Sequence, residues 1–127
     1  MENSAAAEVI EAYQKYLRAF MSDDMDTINA LVSYPLAYIG DGVVRILDEF
    51  PIRPSALTAQ TGWRDTVDMQ YEVVAITATK AHLILRRGTR VRQDGSPIET
   101  ICAFYAWTKT TAGWKMFAIS DVRVPAR

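Results

Sequence analysis

The pattern of hydrophobic and polar positions changes its period once along the chain, near residue 68. Before that point apolar residues recur mainly at helical spacing, and after it they alternate as in strands. Over residues 4–21, the apolar residues Ala6, Ile10, Tyr13, Leu17 and Phe20 are spaced by four and three. This spacing predicts an amphipathic helix, on which Tyr13 is either a core aromatic or a hydroxyl that points into a pocket.

A short acidic segment separates this helix from a second one. Asp23, Asp24 and Asp26 are placed to cap and start the second helix, whose apolar stripe follows. That stripe consists of Met25, Ile28, Leu31 and Val32. The pair Tyr34–Pro35 is expected to end the helix, because the residue before a proline disfavours the helical conformation. We interpret the aspartates as a helix cap and predict no metal site.

The segment between residues 36 and 63 predicts a small hairpin and a third helix. LAYIG and VVRIL flank Asp41–Gly42, which is a strong hairpin turn signal. A short helix should start at Pro54 and stop at Gly62, since proline favours the first turn and glycine the C-terminal end. Trp63 follows directly and is either a lid residue or a plug in the core.

The last part of the chain predicts four antiparallel strands. MQYEVVAITAT is followed by HLILRRGTRVRQ, PIETICAFYAWTK and WKMFAISDVRV, with turns at Lys80–Ala81, Asp94–Gly95 and Ala112–Gly113. Helices followed by a long meander indicate one α+β domain over residues 1–127, with the helices on one face of the sheet.

These turns define a provisional strand register, in which Arg90 opposes Glu99 and Tyr105 opposes both Ile84 and Ser120. Side chains alternate between faces, so the register sorts the residues into two sets. The predicted inner set includes Tyr71, His82, Ile84, Arg86, Ala103, Tyr105, Trp107, Met116, Ala118 and Ser120. The predicted outer set includes Leu83, Leu85, Cys102, Phe104, Phe117, Ile119 and Asp121. Both sets are mainly apolar, so the outer face should meet a second subunit.

Composition and charge exclude several classes of protein. A net charge of −1 gives no basis for nucleic-acid binding, and no apolar run is long enough to span a membrane. Cys102 is the only cysteine, which suits a reducing compartment, and the N-terminus lacks the basic region of a signal peptide. We therefore expect a cytoplasmic protein. His82 is the only histidine, so neither a metal nor another cofactor is expected.

The chain resembles the NTF2-like superfamily, in particular small bacterial SnoaL-like proteins. The resemblance covers nearly the whole chain and rests on the order of elements, on FMSDDMD, and on RQDG followed by FYAWTKTTAGWKMF. It implies a cone-shaped α+β barrel, in which a curved antiparallel sheet carries three N-terminal helices on its concave face. It also implies a pocket between sheet and helices and a homodimer through the outer face. The residues expected in that interface are Leu83, Leu85, Phe104, Phe117 and Ile119.

The predicted pocket combines aromatic and small residues, which is typical of small-molecule sites. Its candidate ligand-binding residues are Tyr13, Tyr38, Trp63, Tyr71, Arg86, Tyr105, Trp107 and Ser120. Arg86 would either clamp a ligand carboxylate or pair internally with Glu99 or Asp121. The candidate catalytic residues are Glu99, which should pair with Arg90, and Asp121, which faces outward unless a β-bulge reverses the alternation.

Three functions remain open from the sequence. The first is a dimeric protein that binds a small, mainly apolar ligand. The second is a SnoaL-like or ketosteroid-isomerase-like enzyme with a pocket carboxylate as proton-transfer base, which is the chemistry that the resemblance implies for enzymatic members. The third is an interaction module that binds another protein through the outer sheet face. Whether the protein is an enzyme at all is not decided by these patterns.

Overall fold

The fold consists of three helices and a six-stranded sheet. The computed structural model describes residues 2–125, with side chains from residue 4 onward. The helices are α1 (Glu2–Met21), α2 (Met25–Ala30) and α3 (Pro54–Thr61). The strands are β1 (Val32–Gly40), β2 (Val43–Leu47), β3 (Trp63–Ile76), β4 (Lys80–Arg92), β5 (Pro97–Thr110) and β6 (Gly113–Asp121). The predicted α+β class and the predicted order of elements are confirmed.

The sheet is curved and remains open, with the strand order β2-β1-β6-β5-β4-β3. Neighbouring strands are antiparallel except β1 and β6, which run parallel. β1 and β2 form the predicted hairpin, and Asp41 (φ 52°) and Gly42 (φ 74°) supply the two positive φ angles that its tight turn requires. The hairpin therefore extends the meander at its β6 side and leaves β2 and β3 as the edge strands.

Local sequence signals account for the helix ends. Asp24 caps α2, because its carboxylate accepts a hydrogen bond from the backbone N–H of Thr27 at 3.1 Å. α3 starts at Pro54 and ends at Gly62, which has a φ of 81° that favours glycine. The prediction that Tyr34–Pro35 ends the second helix is wrong. α2 already ends at Ala30, and both residues lie within β1.

Two β-bulges decide which side chains face the helices. In β4, Arg86 and Arg87 together oppose a single position of β5, so Leu85 pairs with Ala103 while Gly88 pairs with Ile101. The predicted pairing of Arg90 with Glu99, which lie on the C-terminal side of this bulge in β4, is confirmed. On the N-terminal side of the bulge the register of β4 differs by one residue from the predicted register, and every side chain there changes face.

The second bulge lies in β6, where Phe117 is the extra residue. Trp107 pairs with Met116, whereas Ala106 pairs with Ala118 and Tyr105 with Ile119. The predicted pairing of Tyr105 with Ser120 is therefore wrong by one residue. Since Asp121 opposes Ala103, it shares the inner face with Tyr105 rather than the predicted outer face.

The hydrophobic core lies between α1 and the inner face of the sheet. Leu83 (0% exposed), Leu85 (1%) and Ile119 (7%) belong to it, so their assignment to an outer dimer interface is wrong. Phe104 and Phe117 are half-buried, and Phe104 packs its ring edge-on against that of His82 on the outer face. Among residues 2–125, none of the helices combines the length and apolarity that crossing a membrane would require.

Candidate functional site: an aromatic cavity

A cavity of about 620 Å³ lies between α1 and the inner face of strands β3 to β6. This volume is within the roughly 300–1,000 Å³ that is usual for small-molecule sites. Its apolar wall is formed by Tyr13, Tyr16, Leu17, Phe20, Tyr38, Ile52, Trp63, Met69, Leu85, Ile101, Ala103, Tyr105 and Ile119. The helix stripe and the sheet thus meet only in part, and the space between them stays open.

The aromatic wall depends on the helical spacing of α1. Tyr13, Tyr16 and Phe20 are spaced by three and four residues, so their rings point to the same side. Tyr105 of β5 meets two of these rings, with centroid distances of 5.0 Å to Tyr13 and 6.1 Å to Tyr16. Trp63 packs edge-on against Phe20 at 5.2 Å.

The hydroxyls of Tyr13, Tyr16 and Tyr105 in this wall stay protonated. Burial raises the pKa of Tyr13 and of Tyr16 well above the ordinary value, and the neighbouring Tyr105 adds to both shifts. Burial also raises the pKa of Tyr105. The hydroxyl of Tyr13 is fully buried and, although it lies near that of Tyr105, makes no hydrogen bond of regular geometry with any described residue. These groups can donate hydrogen bonds at neutral pH, and none of them can act as a base there.

Charged side chains line the cavity as two ion pairs of different character. Arg90 Nη1 donates to Glu99 Oε2 at 2.8 Å, and the arginine side chain is only 17% exposed. Asp121 Oδ1 lies 3.7 Å from Arg123 Nη1, and both side chains are largely exposed. The first pair is therefore shielded from solvent on its arginine side only, whereas both members of the second are screened by solvent.

Most of the predicted site residues meet at this cavity. Its lining includes seven of them: Tyr13, Tyr38, Glu99, Trp63, Tyr105, Ser120 and Asp121. Trp63 is only 3% exposed and lies among the buried core residues, and its indole N–H donates to the hydroxyl of Thr66 at 3.0 Å, which fixes the ring as part of the cavity wall.

Three predicted ligand-binding residues lie elsewhere. Arg86 forms an ion pair with Glu72, because the β4 bulge turns it away from the cavity that it was expected to enter. Tyr71 lies behind the wall, where its ring contacts that of Tyr13 at 5.0 Å and its hydroxyl accepts a hydrogen bond from Gln14. Trp107 is fully buried in the solid core.

Tyr16 and Arg90 are among the polar cavity residues that sequence reasoning missed. Tyr16 follows Tyr13 by three residues, and this spacing alone places it on the same helix face. Arg90 pairs with Glu99 as predicted, and it also lines the cavity. The signal for Arg90 was this pairing, since Glu99 is itself a predicted site residue.

Comparison with known proteins places this fold in one superfamily. Residues 7–123 match the family model described as NTF2-like protein (DUF6841), and the chain belongs to that family. Among curated proteins, none matches the chain.

Several solved structures share the fold at low sequence identity. An NTF2-like protein from Cytophaga hutchinsonii is 16% identical, with a TM-score of 0.67 over 91% of this chain and 95% of that one. A protein from Shewanella frigidimarina, provisionally named a ketosteroid isomerase, is 13% identical, with a TM-score of 0.67 over 91% and 93%. A protein of unknown function with a cystatin-like fold from Nostoc punctiforme is 13% identical, with a TM-score of 0.68 over 94% and 91%. At these identities the likeness establishes the fold alone.

Proposed function

We propose that the protein binds a small, mainly apolar ligand in the aromatic cavity. The observation that carries this proposal is the open volume of about 620 Å³ inside a wall of aromatic and aliphatic side chains. Protein interiors are otherwise packed as densely as organic crystals, so an apolar cavity of this size leaves contacts unmade. A ligand of matching shape would make those contacts and remove apolar surface from water.

The experiment is a titration with the neutral fluorophore N-phenyl-1-naphthylamine, whose emission rises in apolar surroundings. We expect saturable binding with a blue shift. Ala103 lines the cavity and opposes Leu85, so Ala103→Leu should fill part of the volume and weaken binding about tenfold, a loss of roughly 1.4 kcal/mol. Ala118→Leu is the matched control, because Ala118 lies on the other face of the neighbouring strand. Absence of saturable binding, or equal effects of the two variants, would contradict the proposal.

A second candidate is an enzyme that transfers a proton next to a carbonyl group. It is favoured by the β6 bulge, which brings Asp121 to the cavity that Tyr105 and Tyr38 also line. Two facts count against a strong base: Asp121 is 62% exposed, and Arg123 lies beside it. Isomerisation of a β,γ-unsaturated cyclic ketone to its conjugated form, followed by absorbance, tests this candidate. Asp121→Asn should then lower the rate at least 100-fold. No acceleration by the unmodified protein would exclude it for this substrate class.

We also propose a homodimer through the outer sheet face. Leu83, Leu85 and Ile119 do not contribute to this interface, because they belong to the core. The apolar surface there includes Phe104 and Phe117, with Val74 48% exposed nearby on β3. Light scattering should give twice the chain mass, and Phe117→Glu should give the mass of a monomer. A monomeric wild-type protein would instead favour the third possibility, an interaction module that leaves this face for another protein.

A further inference from the structure

Arg90 is the most deeply placed charged group of the cavity. It lies on β4, C-terminal to the bulge at Arg86–Arg87, on the same face as its neighbour Glu99 in the adjacent strand. Its side chain is 17% exposed, whereas that of Glu99 is 45% exposed. The guanidinium therefore lies toward the interior and the carboxylate toward solvent.

The arginine is only partly satisfied by its partner. Glu99 accepts one hydrogen bond, from Nη1, and among residues 2–125 the guanidinium has no other hydrogen-bond acceptor. A guanidinium carries five N–H donors in a planar fork, and this fork matches the two oxygens of a carboxylate. Donors thus remain for a second acceptor that enters from the cavity.

Two tyrosine hydroxyls lie within the electrostatic reach of Arg90. Burial raises the pKa of Tyr16 and of Tyr105, and the positive charge of Arg90 acts against both shifts. Both rings belong to the cavity wall, 6.1 Å apart. This part of the cavity therefore brings the guanidinium of Arg90 together with two neutral tyrosine hydroxyls, and a purely apolar ligand would use none of them.

We propose that Arg90, with Tyr16 and Tyr105, binds the carboxylate of an apolar monocarboxylic acid whose hydrocarbon part fills the aromatic cavity. This inference rests on the proposed ligand-binding function and adds the chemical class of the ligand. Glu99 then has a defined role. It neutralises Arg90 in the empty cavity and competes with the ligand carboxylate, so it sets the affinity without contacting the hydrocarbon part.

The test compares 2-naphthoic acid with 2-naphthamide, which has nearly the same shape and no charge. Both are titrated directly by calorimetry at neutral pH, alongside N-phenyl-1-naphthylamine. We expect the acid to bind at least tenfold more tightly than the amide. Arg90→Gln should abolish this preference while leaving the neutral probe bound, and Glu99→Gln should increase the preference by removing the competing carboxylate. Arg87→Gln is the control, because Arg87 lies on the same strand as Arg90 but is exposed and outside the cavity, so its loss should leave the preference unchanged.

The outcomes separate this inference from the proposed function. Equal binding of acid and amide by the wild-type protein would overturn the inference, and so would weaker acid binding in Glu99→Gln. If Arg90→Gln weakens acid and amide equally, Arg90 is a structural residue and the inference is wrong. Binding of the neutral probe without preference for the acid leaves the proposed function standing, whereas failure of all three compounds to bind overturns both. Far-UV circular dichroism verifies that each variant is folded, and Glu99→Gln gives an independent answer if Arg90→Gln is not.

Discussion

Replacing Tyr13 by phenylalanine should stabilise the protein, although most core substitutions destabilise. Tyr13 is 0% exposed, and its hydroxyl, although it lies near that of Tyr105, makes no hydrogen bond of regular geometry with any described residue. Its ring contacts those of Tyr71 and Tyr105, with both centroid distances at 5.0 Å. Phenylalanine keeps the ring and these contacts and removes only the oxygen atom.

The size of the effect follows from two opposing terms. A buried polar group without a partner costs about 1–3 kcal/mol, because its hydrogen bonds to water are lost and not replaced. The void left by the oxygen is smaller than a methyl group, for which the cost is about 1 kcal/mol. The net gain should therefore be about 1 kcal/mol in the free energy of unfolding. In a domain of this length, that corresponds to an increase of about 4 °C in Tm.

Tyr71→Phe is the matched control for this measurement. The hydroxyl of Tyr71 accepts a hydrogen bond from Gln14 Nε2 at 3.1 Å near the surface, so its removal should cost up to about 1 kcal/mol. Urea unfolding of both variants can be followed by tryptophan fluorescence, since Trp107 and Trp114 are buried. A loss of stability in Tyr13→Phe as large as that in Tyr71→Phe would refute the reasoning. It would mean that the Tyr13 hydroxyl is hydrogen-bonded in solution.

Three further predictions test the tyrosine cluster, the sheet register and the packing at the cavity. Burial raises the pKa of Tyr16, so above about pH 10 the unfolded chain releases a proton that the native state retains, and this residue alone should lower stability by about 1.4 kcal/mol per pH unit. Tyr13 and Tyr105, whose pKa values are also raised, add to the decline. Tyr16→Phe should make the decline less steep by the share of Tyr16 in urea unfolding between about pH 10 and 11, and an unchanged slope would argue against the raised pKa. Leu85→Ala should cost about 2–5 kcal/mol, because Leu85 is a core residue, whereas Ile84→Ala on the opposite face should cost clearly less. Equal losses in chemical unfolding would contradict the register. Gly88→Ala should cost about 1 kcal/mol, since its new methyl group would lie 3.2 Å from Cγ2 of Thr66, whose hydroxyl is held by the indole N–H of Trp63; a thermal melt that shows no loss would mean that the Thr66 side chain shifts to make room.

Signals that act over a few residues predicted the fold well. The Asp41–Gly42 hairpin, the start of α3 at Pro54 and its end at Gly62 all agree with the structure. Each depends on the φ angles that one or two residues prefer, so it can be inferred without tertiary contacts. The pairing of Arg90 with Glu99, predicted from the Asp94–Gly95 turn, is also correct, although a register irregularity lies between Arg90 and Val91.

The faces of the long strands were less accessible, because each bulge reverses the alternation beyond it. Gly88 was an available signal for the β4 bulge, since a glycine inside a strand often marks a bulge or a close approach of neighbouring groups. The close approach is real: a Cβ atom at Gly88 would lie 3.2 Å from Cγ2 of Thr66. The β6 bulge at Phe117 has no such marker, because phenylalanine is also common in regular strands.

The two bulges explain why the apolar residues of the cavity were predicted better than its polar residues. Tyr13 and Tyr105 line the cavity for reasons that do not depend on either bulge: Tyr13 by helical spacing, and Tyr105 because it lies in β5, which contains neither bulge. The charged residues lie near the bulges. There, a shift of the strand register by one residue turns an inward side chain outward, or an outward one inward. Arg86 is lost from the cavity and Asp121 is gained in this way, while Arg90 keeps the face that its turn assigns. Arg90, whose pairing with Glu99 was predicted from the sequence, is thus the polar contact that the sequence supports most firmly, and it is the contact on which the carboxylate inference depends.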